Sequence, residues 1–255
     1  MTTPPAQGPH WLDGDLVGGW CQLPGSATAE LIASVGFDYV CIDAQHGLIG
    51  DDVLLTMLQG LSANATRTLV RVSHNDHALI GRALDRGADG VIVPLVNSAA
   101  EAAAAVAACR FPPTGDRSLG PTRVTWRGRD PLAPMTCVVM IETAEAVEAL
   151  PEILAVDHLD AIFVGPSDLA LSTGRALAAQ SPGPSGDPGY FELLGSIVTQ
   201  CREAGKPVGI FSASPAHVRR FREVGFTFFA LSSDAAMLHA AATDLLAASR
   251  PGCVN

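Results

Sequence analysis

Short runs of apolar, often β-branched residues alternate along the chain with longer segments that are rich in Ala and Leu. Within each run the apolar residues are continuous and do not alternate with polar ones. That pattern is typical of parallel strands that are covered on both faces. Eight strands are therefore predicted, at residues 16–23, 39–42, 68–72, 90–96, 137–141, 161–164, 208–211 and 227–231.

The segments between these runs carry helix signals. Ser26, Asp76 and Ser98 stand where N-cap residues are preferred, and Glu101 follows Ser98 at the spacing of a capping box. Several segments end in Gly just before the next strand, as in RGADGV and VGFTFF, which favours a left-handed helix end. Eight helices are predicted, at residues 27–35, 51–62, 77–86, 99–109, 144–154, 190–204, 215–224 and 235–248.

Eight strands alternating with eight helices in 255 residues predict an α/β fold, a single-domain (β/α)8 TIM barrel over residues 1–255. A doubly wound open sheet is the alternative, but it usually needs fewer strands, and no Gly-rich phosphate turn follows the first strand.

Three segments lie outside the repeat. Residues 1–15 are expected to form an N-terminal extension. Residues 111–136 hold five prolines and four arginines, and they are expected to be a functional loop or an interface arm. Residues 174–189 are rich in Gly, Pro and Ser and are expected to be a mobile surface insertion of little functional weight.

Composition narrows the range of functions. The formal net charge is −10, so binding to nucleic acid has no electrostatic support. The six cysteines are scattered without a CxxC pair, which argues against a zinc ribbon or a small disulfide framework. The sequence shows neither a signal-peptide pattern nor an apolar stretch long enough to span a bilayer, so we expect a cytoplasmic protein without a membrane role.

Polar residues follow most of the predicted strands at the point where each strand ends. In a barrel of this kind the carboxyl ends of all strands meet at one mouth, where active sites lie. A His, an Arg and several carboxylates are therefore expected to converge there. The strand ends supply Asp43 and His46, Arg71, Pro94 and Asn97, Glu142, residues 165–168, Ser212, and residues 232–234.

Charged residues at these strand ends suggest a metal site. Glu142 and Asp168 follow neighbouring strands, and two carboxylates in one pocket favour a cation such as Mg²⁺ or Mn²⁺ between them. The alternative is that Glu142 caps the next helix and that Asp168 forms a cap or an Asx-turn. A buried Arg71 needs an anion, which is either Asp43 in a structural pair or a substrate oxygen. His46 is either an ordinary rim residue or a catalytic one, and its neighbours favour catalysis.

The basic residues distinguish two catalytic chemistries. The chain contains fifteen arginines but a single lysine, Lys206, which precedes the seventh strand and so belongs at the end of the barrel opposite the mouth. A Schiff-base enzyme needs a lysine in the pocket. The sequence therefore favours an enolate stabilised by a metal ion over an imine.

Six motifs occur along the chain: DYVCIDAQHG, LVRVSHND, GADGVIVPLVNSAAEAAAAV, RFPPTGDRSLG, VVMIETAEAVEALPEIL and DAIFVGPSDLA. In this order they resemble the HpcH/HpaI family, the metal-dependent 2-oxo-acid aldolases. The best-known members cleave 4-hydroxy-2-oxoheptanedioate or 2-keto-3-deoxy-aldarates. The similarity extends from about residue 20 to residue 237, and the ordered set of motifs is specific.

The resemblance implies a barrel whose C-terminal helix is swapped between subunits of a homohexamer, a trimer of dimers. It implies a divalent ion, Mg²⁺ or Mn²⁺ with Co²⁺ as a further candidate, and a metal-bound enolate of pyruvate. It implies that Glu142 and Asp168 bind the metal, and that Gly165, Pro166 and Ser167 bind the substrate carboxylate. It implies that Arg71 stabilises the enolate, His46 transfers a proton and Asp43 orients these groups, while Asp85 contacts a neighbouring subunit's histidine. It also implies that the wall on the aldehyde side consists of Trp20, Leu119 and Phe211.

Two positions depart from the family pattern. Gln45 stands where well-known aldolases have Glu, and Met140 stands where they have Gln. We therefore expect an intact metal and pyruvate side and an altered aldehyde side.

The predicted function is a class II pyruvate aldolase, a carbon–carbon lyase that reversibly cleaves a 4-hydroxy-2-oxo acid to pyruvate and an aldehyde. Related enolate chemistry is one alternative, as in a CoA-ester lyase, an oxaloacetate decarboxylase or a carbon–carbon bond-forming synthase. A non-catalytic barrel is the other.

Overall fold

The computed structural model describes residues 11–250, in which eight parallel strands close into one barrel in sequence order. The predicted (β/α)8 barrel is thus confirmed, and each predicted strand is present within a few residues of its expected bounds. The strands are β1 (Leu16–Cys21), β2 (Tyr39–Asp43), β3 (Arg67–Arg71), β4 (Gly90–Val93), β5 (Thr136–Ile141), β6 (Ala161–Val164), β7 (Val208–Ser212) and β8 (Phe228–Leu231).

Helices return the chain from each strand to the next. They are α1 (Ser26–Ser34), α2 (Asp51–Leu61), α3 (His77–Asp85), α4 (Ala99–Cys109), α5 (Arg123–Trp126), α6 (Ala144–Glu148), α7 (Leu150–Leu154), α8 (Pro166–Ser172), α9 (Pro188–Glu203), α10 (Pro215–Val224) and α11 (Asp234–Ser249). A short 3₁₀ helix, Leu177–Gln180, lies between α8 and α9.

The helices differ from the prediction in three places. The helix expected over residues 144–154 is divided at Ala149, because Pro151 stands in the first turn of α7 and cannot donate an N–H to a continuing helix. Helix α8 was not predicted. Pro166 is the first residue of this helix, and in the sequence a proline usually indicates a loop, although it is well tolerated at the first position of a helix. Helix α5 is a single turn inside the segment that was expected to be a loop or an arm.

The barrel interior is filled with large side chains that face small ones. Tyr39 and Phe228 are fully buried there, and each ring lies directly over a glycine of a neighbouring strand, Gly18 and Gly209. A Cβ at either glycine would overlap the ring, so these positions allow the aromatic residues to fill the centre of the barrel.

Residues 1–10 of the predicted N-terminal extension lie outside the described residues, but the remainder closes the floor of the barrel. The indole Nε1 of Trp11 donates to Thr136 Oγ1 at 2.8 Å, and its ring packs edge-on against Tyr39. Leu12 is fully buried. The cysteines among the described residues are free and buried, as expected for small apolar side chains, and Cys253 lies outside the described residues.

The long segment 111–136 is bound to the outside of the barrel by its arginines. Arg123 donates to Arg86 O at 2.7 Å and to the Ser62 hydroxyl, and Arg129 donates to Asp89 Oδ1 at 2.6 Å. Ser62 and Arg86 are the C-cap residues of α2 and α3, where the last helix carbonyls lack partners within the helix, and Asp89 directly precedes β4. The part around Arg123 and Arg129 is therefore packed against the end of the barrel opposite the mouth, whereas Asp116 lies beside His77 at the start of α3, its oxygens 3.2 and 3.3 Å from His77 Nε2.

The last helix, α11, is exposed along almost its whole length, and of its residues only Asp234 is buried. Leu238, Leu245 and Leu246 are exposed on it. The swapping of this helix between subunits stays a prediction. Across residues 11–250, none of the helices is both long enough and apolar enough to pass through a membrane.

Candidate active site

The carboxyl ends of the strands place a set of polar side chains above the barrel interior. Side chains alternate along a strand, so residues two positions apart share a face. Cys41 and Met140 belong to the interior cluster, and Asp43 and Glu142 follow them at that spacing. By the same rule Arg71 follows Leu69, and Gly165 follows Phe163. The mouth is thus built by continuing the inward face of β2, β3, β5 and β6.

Asp43 and Arg71 form a buried bidentate ion pair across β2 and β3, where the two residues are register partners. Arg71 Nε donates to Asp43 Oδ1 at 2.9 Å, and Nη2 donates to Oδ2 at 2.6 Å. Burial by itself raises the pKa of the Asp43 carboxyl, but the hydrogen bonds and charge of Arg71, helped by Gln22 and the His46 N–H, lower it to about 2. Of the two partners considered for Arg71, the structure shows the carboxylate of Asp43.

Asp43 also organises the loop that follows β2. Its Oδ1 accepts the backbone N–H groups of Gln45 at 3.1 Å and His46 at 3.2 Å. Its Oδ2 accepts from Gln22 Nε2 at 3.1 Å and Trp20 Nε1 at 3.2 Å. His46 is therefore held at the rim through its backbone, and its imidazole is exposed. Gln22 was missed from the sequence, although it follows Trp20 by the two-residue spacing of a strand face.

An aromatic wall stands beside this pair. The Arg71 guanidinium carbon lies 5.0 Å from the centre of the Trp20 ring, a cation–π contact. Trp20 stacks on Phe163 at 5.8 Å and meets Phe211 edge-on at 5.7 Å. Trp20 and Phe211, two of the three residues expected on the aldehyde side, are thus in contact with each other, and Trp20 is in contact with Arg71.

Glu142 is a buried carboxylate with few donors around it. It is 2% exposed, and its Oε1 accepts the backbone N–H of Leu95 at 2.8 Å. Burial raises the pKa of the Glu142 carboxyl, and the negative charge of Asp168 raises it further, against the opposing effects of the Leu95 N–H and Arg71. Glu142 does not cap the next helix, because the N-cap of α6 is Thr143, whose Oγ1 accepts from Ala146 N at 3.0 Å.

Asp168 lies in the first turn of α8 and is exposed, and the N-cap of that helix is Gly165. The backbone of Gly165 approaches Glu142 so closely that a Cβ there would overlap Glu142 Oε2. A buried carboxylate whose pKa is raised by a second carboxylate belongs to a pair of oxygen donors that suits Mg²⁺ or Mn²⁺. In the described part of the chain no cluster of three or more His, Cys, Asp or Glu is placed to hold a metal. Oxygens from water or substrate would complete the coordination.

The turn at Gly165–Ser167, expected to bind a carboxylate, is supported from two sides. The hydroxyl of Tyr190 on α9 donates to Pro166 O at 2.6 Å. Gln180 Nε2 donates to Ser167 Oγ at 3.0 Å. Gln180 belongs to residues 174–189, for which the sequence predicts a surface insertion of little functional weight, and the structure brings a part of that insertion to the candidate site.

Two predicted site residues lie outside the buried group at the mouth. Asp85 ends α3, the helix that runs from the carboxyl end of β3 back to the other end of the barrel, and it accepts from Arg117 Nη2 at 2.7 Å. Leu119 is 62% exposed on the long segment. Neither belongs to the buried group around Asp43, so their predicted roles need a second subunit.

Two further residues at the strand ends serve the fold. Asp234 accepts the backbone N–H groups of Gln22 at 2.7 Å and Leu23 at 3.1 Å, which joins the end of β8 to the end of β1. Lys206 donates to Leu159 O at 2.5 Å beside the amino end of β7, as expected for a lysine at the end opposite the mouth.

Comparisons with known proteins agree with this architecture. The sequence model of the HpcH/HpaI aldolase/citrate lyase family matches residues 17–241. A hydroxypyruvate/pyruvate aldolase of Rhizorhabdus wittichii is 39% identical over 249 residues, which cover 94% of this chain and 96% of that protein.

Solved structures show the same barrel. An HpcH/HpaI aldolase/citrate lyase family protein from Burkholderia cenocepacia superposes with a TM-score of 0.84 at 31% identity, covering 93% of this chain and 96% of the other. A citrate synthase superposes with a TM-score of 0.81 at 27% identity, covering 94% and 96% of the two chains.

Proposed function

The chain belongs to the HpcH/HpaI aldolase/citrate lyase family, and we propose that it is a class II pyruvate aldolase, a divalent-metal-dependent carbon–carbon lyase. It cleaves a 4-hydroxy-2-oxo acid reversibly to pyruvate and an aldehyde. The chemistry passes through an enolate, because the only lysine of the chain is at the wrong end of the barrel to form an imine.

The observation that carries the proposal is the carboxylate of Glu142, which is 2% exposed, accepts the Leu95 N–H, and has its pKa raised by burial and by the charge of Asp168. These two residues would hold a divalent ion, Mg²⁺ or Mn²⁺ with Co²⁺ as a further candidate. When bound, such an ion supplies Lewis acidity toward an oxygen that develops negative charge.

Arg71 supplies a second positive charge at the mouth. Its pair with Asp43 uses Nε and Nη2, so the guanidinium is held in one orientation and Nη1 takes no part in the pair. We assign Nη1 to the oxygen of the 2-oxo group, where it stabilises the enolate by an oriented hydrogen bond. Asp43 acts on Arg71 and on the loop with His46, which makes it a positioning residue.

The remaining roles follow the shape of the mouth. His46, exposed at the rim, takes the proton of the substrate's 4-hydroxyl when the carbon–carbon bond breaks. Gly165, Pro166 and Ser167 bind the carboxylate of the 2-oxo acid. Trp20 and Phe211 line the aldehyde side.

The proposal includes a homohexamer, a trimer of dimers with a swapped α11. In that assembly Asp85 reaches a neighbouring subunit's histidine, and Leu119 joins the aldehyde wall. The exposed apolar side chains of α11 support burial against a second copy. We also propose a cytoplasmic location.

A panel of aldehydes tests the function. Purified protein is incubated with pyruvate, each aldehyde and Mg²⁺ or Mn²⁺, and products are identified by mass. We expect a 4-hydroxy-2-oxo acid that disappears when the ion is chelated and returns when it is restored. Glu142→Gln should abolish the product, whereas Lys206→Ala should retain it. Undiminished turnover by chelated wild-type protein would contradict the metal assignment.

A second candidate is carbon–carbon bond formation, because a citrate synthase shares this barrel at 27% identity. A synthase of that kind would join the α-carbon of a thioester to a keto acid and hydrolyse the thioester, whereas an aldolase would release pyruvate from a 4-hydroxy-2-oxo acid. Thiol release from acyl-CoA with oxaloacetate, measured beside pyruvate release from the hydroxy acid, separates the two.

A further inference from the structure

Residues 174–189 form a closed loop. Arg175 begins it with a backbone N–H bond to Ala170 O at 2.8 Å, at the end of α8. Its Nε pairs with Asp187 Oδ2 at 3.2 Å, which joins the two ends of the loop. Asp187 N donates in turn to Ala179 O at 3.0 Å, and Ala179 is buried. The 3₁₀ turn that ends in Gln180 is therefore fixed against α8.

This arrangement places the Gln180 amide on the side chain of Ser167, with Nε2 donating to Oγ at 3.0 Å. A serine hydroxyl has two acceptor lone pairs and one proton. Because the amide occupies a lone pair, the hydroxyl proton of Ser167 stays free to donate elsewhere. The Tyr190 hydroxyl holds Pro166 O at 2.6 Å, so the backbone that carries Ser167 is also fixed.

We infer that Gln180 is a positioning residue for substrate binding, which directs the hydroxyl proton of Ser167 toward the carboxylate of the 2-oxo acid. The inference rests on the proposed function, since that function assigns the carboxylate to Gly165–Ser167. It gives residues 174–189 a part in selecting the substrate: they act on the carboxylate end and leave the aldehyde end to Trp20 and Phe211.

The direction of the hydrogen bond provides the sharpest test. Gln180→Ala removes the donor, and loss of one hydrogen bond should raise the KM for pyruvate in the aldol direction about five-fold. Gln180→Glu keeps the shape but replaces the donor with a charged acceptor. Glu would draw the Ser167 proton away from the substrate and repel its carboxylate. The KM for pyruvate should therefore rise about 25-fold, which is twice the free-energy effect of Ala.

The control is Gln200→Ala. Gln200 Nε2 donates to Ser196 Oγ at 3.3 Å on α9, which is the same kind of amide–hydroxyl pair within a helix and away from the mouth. The KM for pyruvate and the KM for the aldehyde are measured separately for each variant. The dissociation constant of pyruvate is measured by calorimetry with Mg²⁺ and no aldehyde. In the Ser167→Ala background, Gln180→Ala should have no further effect on either value for pyruvate.

We expect the KM and the dissociation constant for pyruvate to rise in Gln180→Ala and to rise further in Gln180→Glu, while the KM for the aldehyde stays unchanged. Gln200→Ala should equal wild type in all three values. Equal increases in the KM of both substrates, or wild-type values in Gln180→Glu, would overturn the inference while wild-type turnover upholds the proposed function. Wild-type protein that neither binds nor turns over pyruvate would overturn both.

Discussion

The ion pair of Asp43 and Arg71 should dominate the electrostatic stability of the mouth, and Asp43→Asn tests this. The pKa of Asp43 falls from its ordinary 3.8 to about 2, chiefly because Arg71 outweighs the cost of burial. A carboxyl whose pKa is lower in the folded protein than in the unfolded chain stabilises the fold at pH values above its unfolded-state pKa. This stabilisation is lost as the pH falls toward the folded-state pKa. At about 1.36 kcal/mol for each pH unit, the carboxylate contributes about 2.4 kcal/mol at pH 7 and about 1.3 kcal/mol at pH 3.

The total cost of Asp43→Asn should exceed this contribution, because a neutral amide leaves the buried Arg71 without a counter-charge. Removing one partner of a buried pair typically costs about 3–5 kcal/mol, so we expect about that loss at pH 7, shrinking by about 1 kcal/mol at pH 3. Urea unfolding at one fixed protein concentration measures the loss. Asp15→Asn is the control, since Asp15 pairs with Arg222 at the surface and should cost less than about 1 kcal/mol. A loss for Asp43→Asn that is no larger than the control's, or that stays constant between pH 7 and pH 3, would refute this reasoning.

Three further predictions concern single residues. Glu142→Gln should raise the thermal midpoint of the metal-free protein at neutral pH, because the raised pKa of Glu142 makes its ionised form unfavourable in the folded protein. The gain in the midpoint should vanish below the ordinary pKa of 4.5. A lower midpoint for the variant at neutral pH would contradict this prediction. Arg71→Lys should reduce kcat/KM at least about 100-fold, because the ammonium group of Lys cannot keep two hydrogen bonds to Asp43 and also bind the substrate. The control, Arg67→Lys at the other end of β3, should leave kcat/KM unchanged. Lys206→Ala should keep its turnover, and borohydride with pyruvate should add no mass to the wild-type protein; a trapped adduct would restore the imine route.

The strands and the mouth were predictable because both depend on local patterns. Continuous apolar runs marked all eight strands, and the parallel arrangement then brought Asp43, Arg71 and Glu142 to one end. The supporting contacts were not predictable in the same way. Gln180 touches Ser167 only because a Gly- and Pro-rich loop closes through the Arg175–Asp187 pair, and such sequences carry no periodic signal.

Gln22 and helix α8 escaped prediction for other reasons. Gln22 lies just beyond β1, and its inward direction follows from the alternation that places Trp20 in the barrel. This residue could have been found by extending each strand face by two positions. Helix α8 is only seven residues long and begins with proline, so its short apolar pattern resembles a loop. A proline directly after a glycine at a strand end is also consistent with the first position of a helix.

The two buried carboxylates at the mouth, Asp43 and Glu142, differ in their hydrogen bonds and in the direction of their pKa shifts. Asp43 receives hydrogen bonds from Arg71, Gln22 and Trp20 and from two backbone N–H groups, and its pKa is about 2. Glu142 receives the Leu95 N–H and faces the charge of Asp168, and its pKa is raised. The Leu95 N–H and the charge of Arg71 offset only part of the cost of burying the Glu142 charge, because its pKa is still raised. A cation that binds the folded protein and not the unfolded chain would recover that cost. Under the proposed function, a cation would therefore bind at Glu142 and leave Asp43, whose oxygens already accept hydrogen bonds, to hold Arg71 in place.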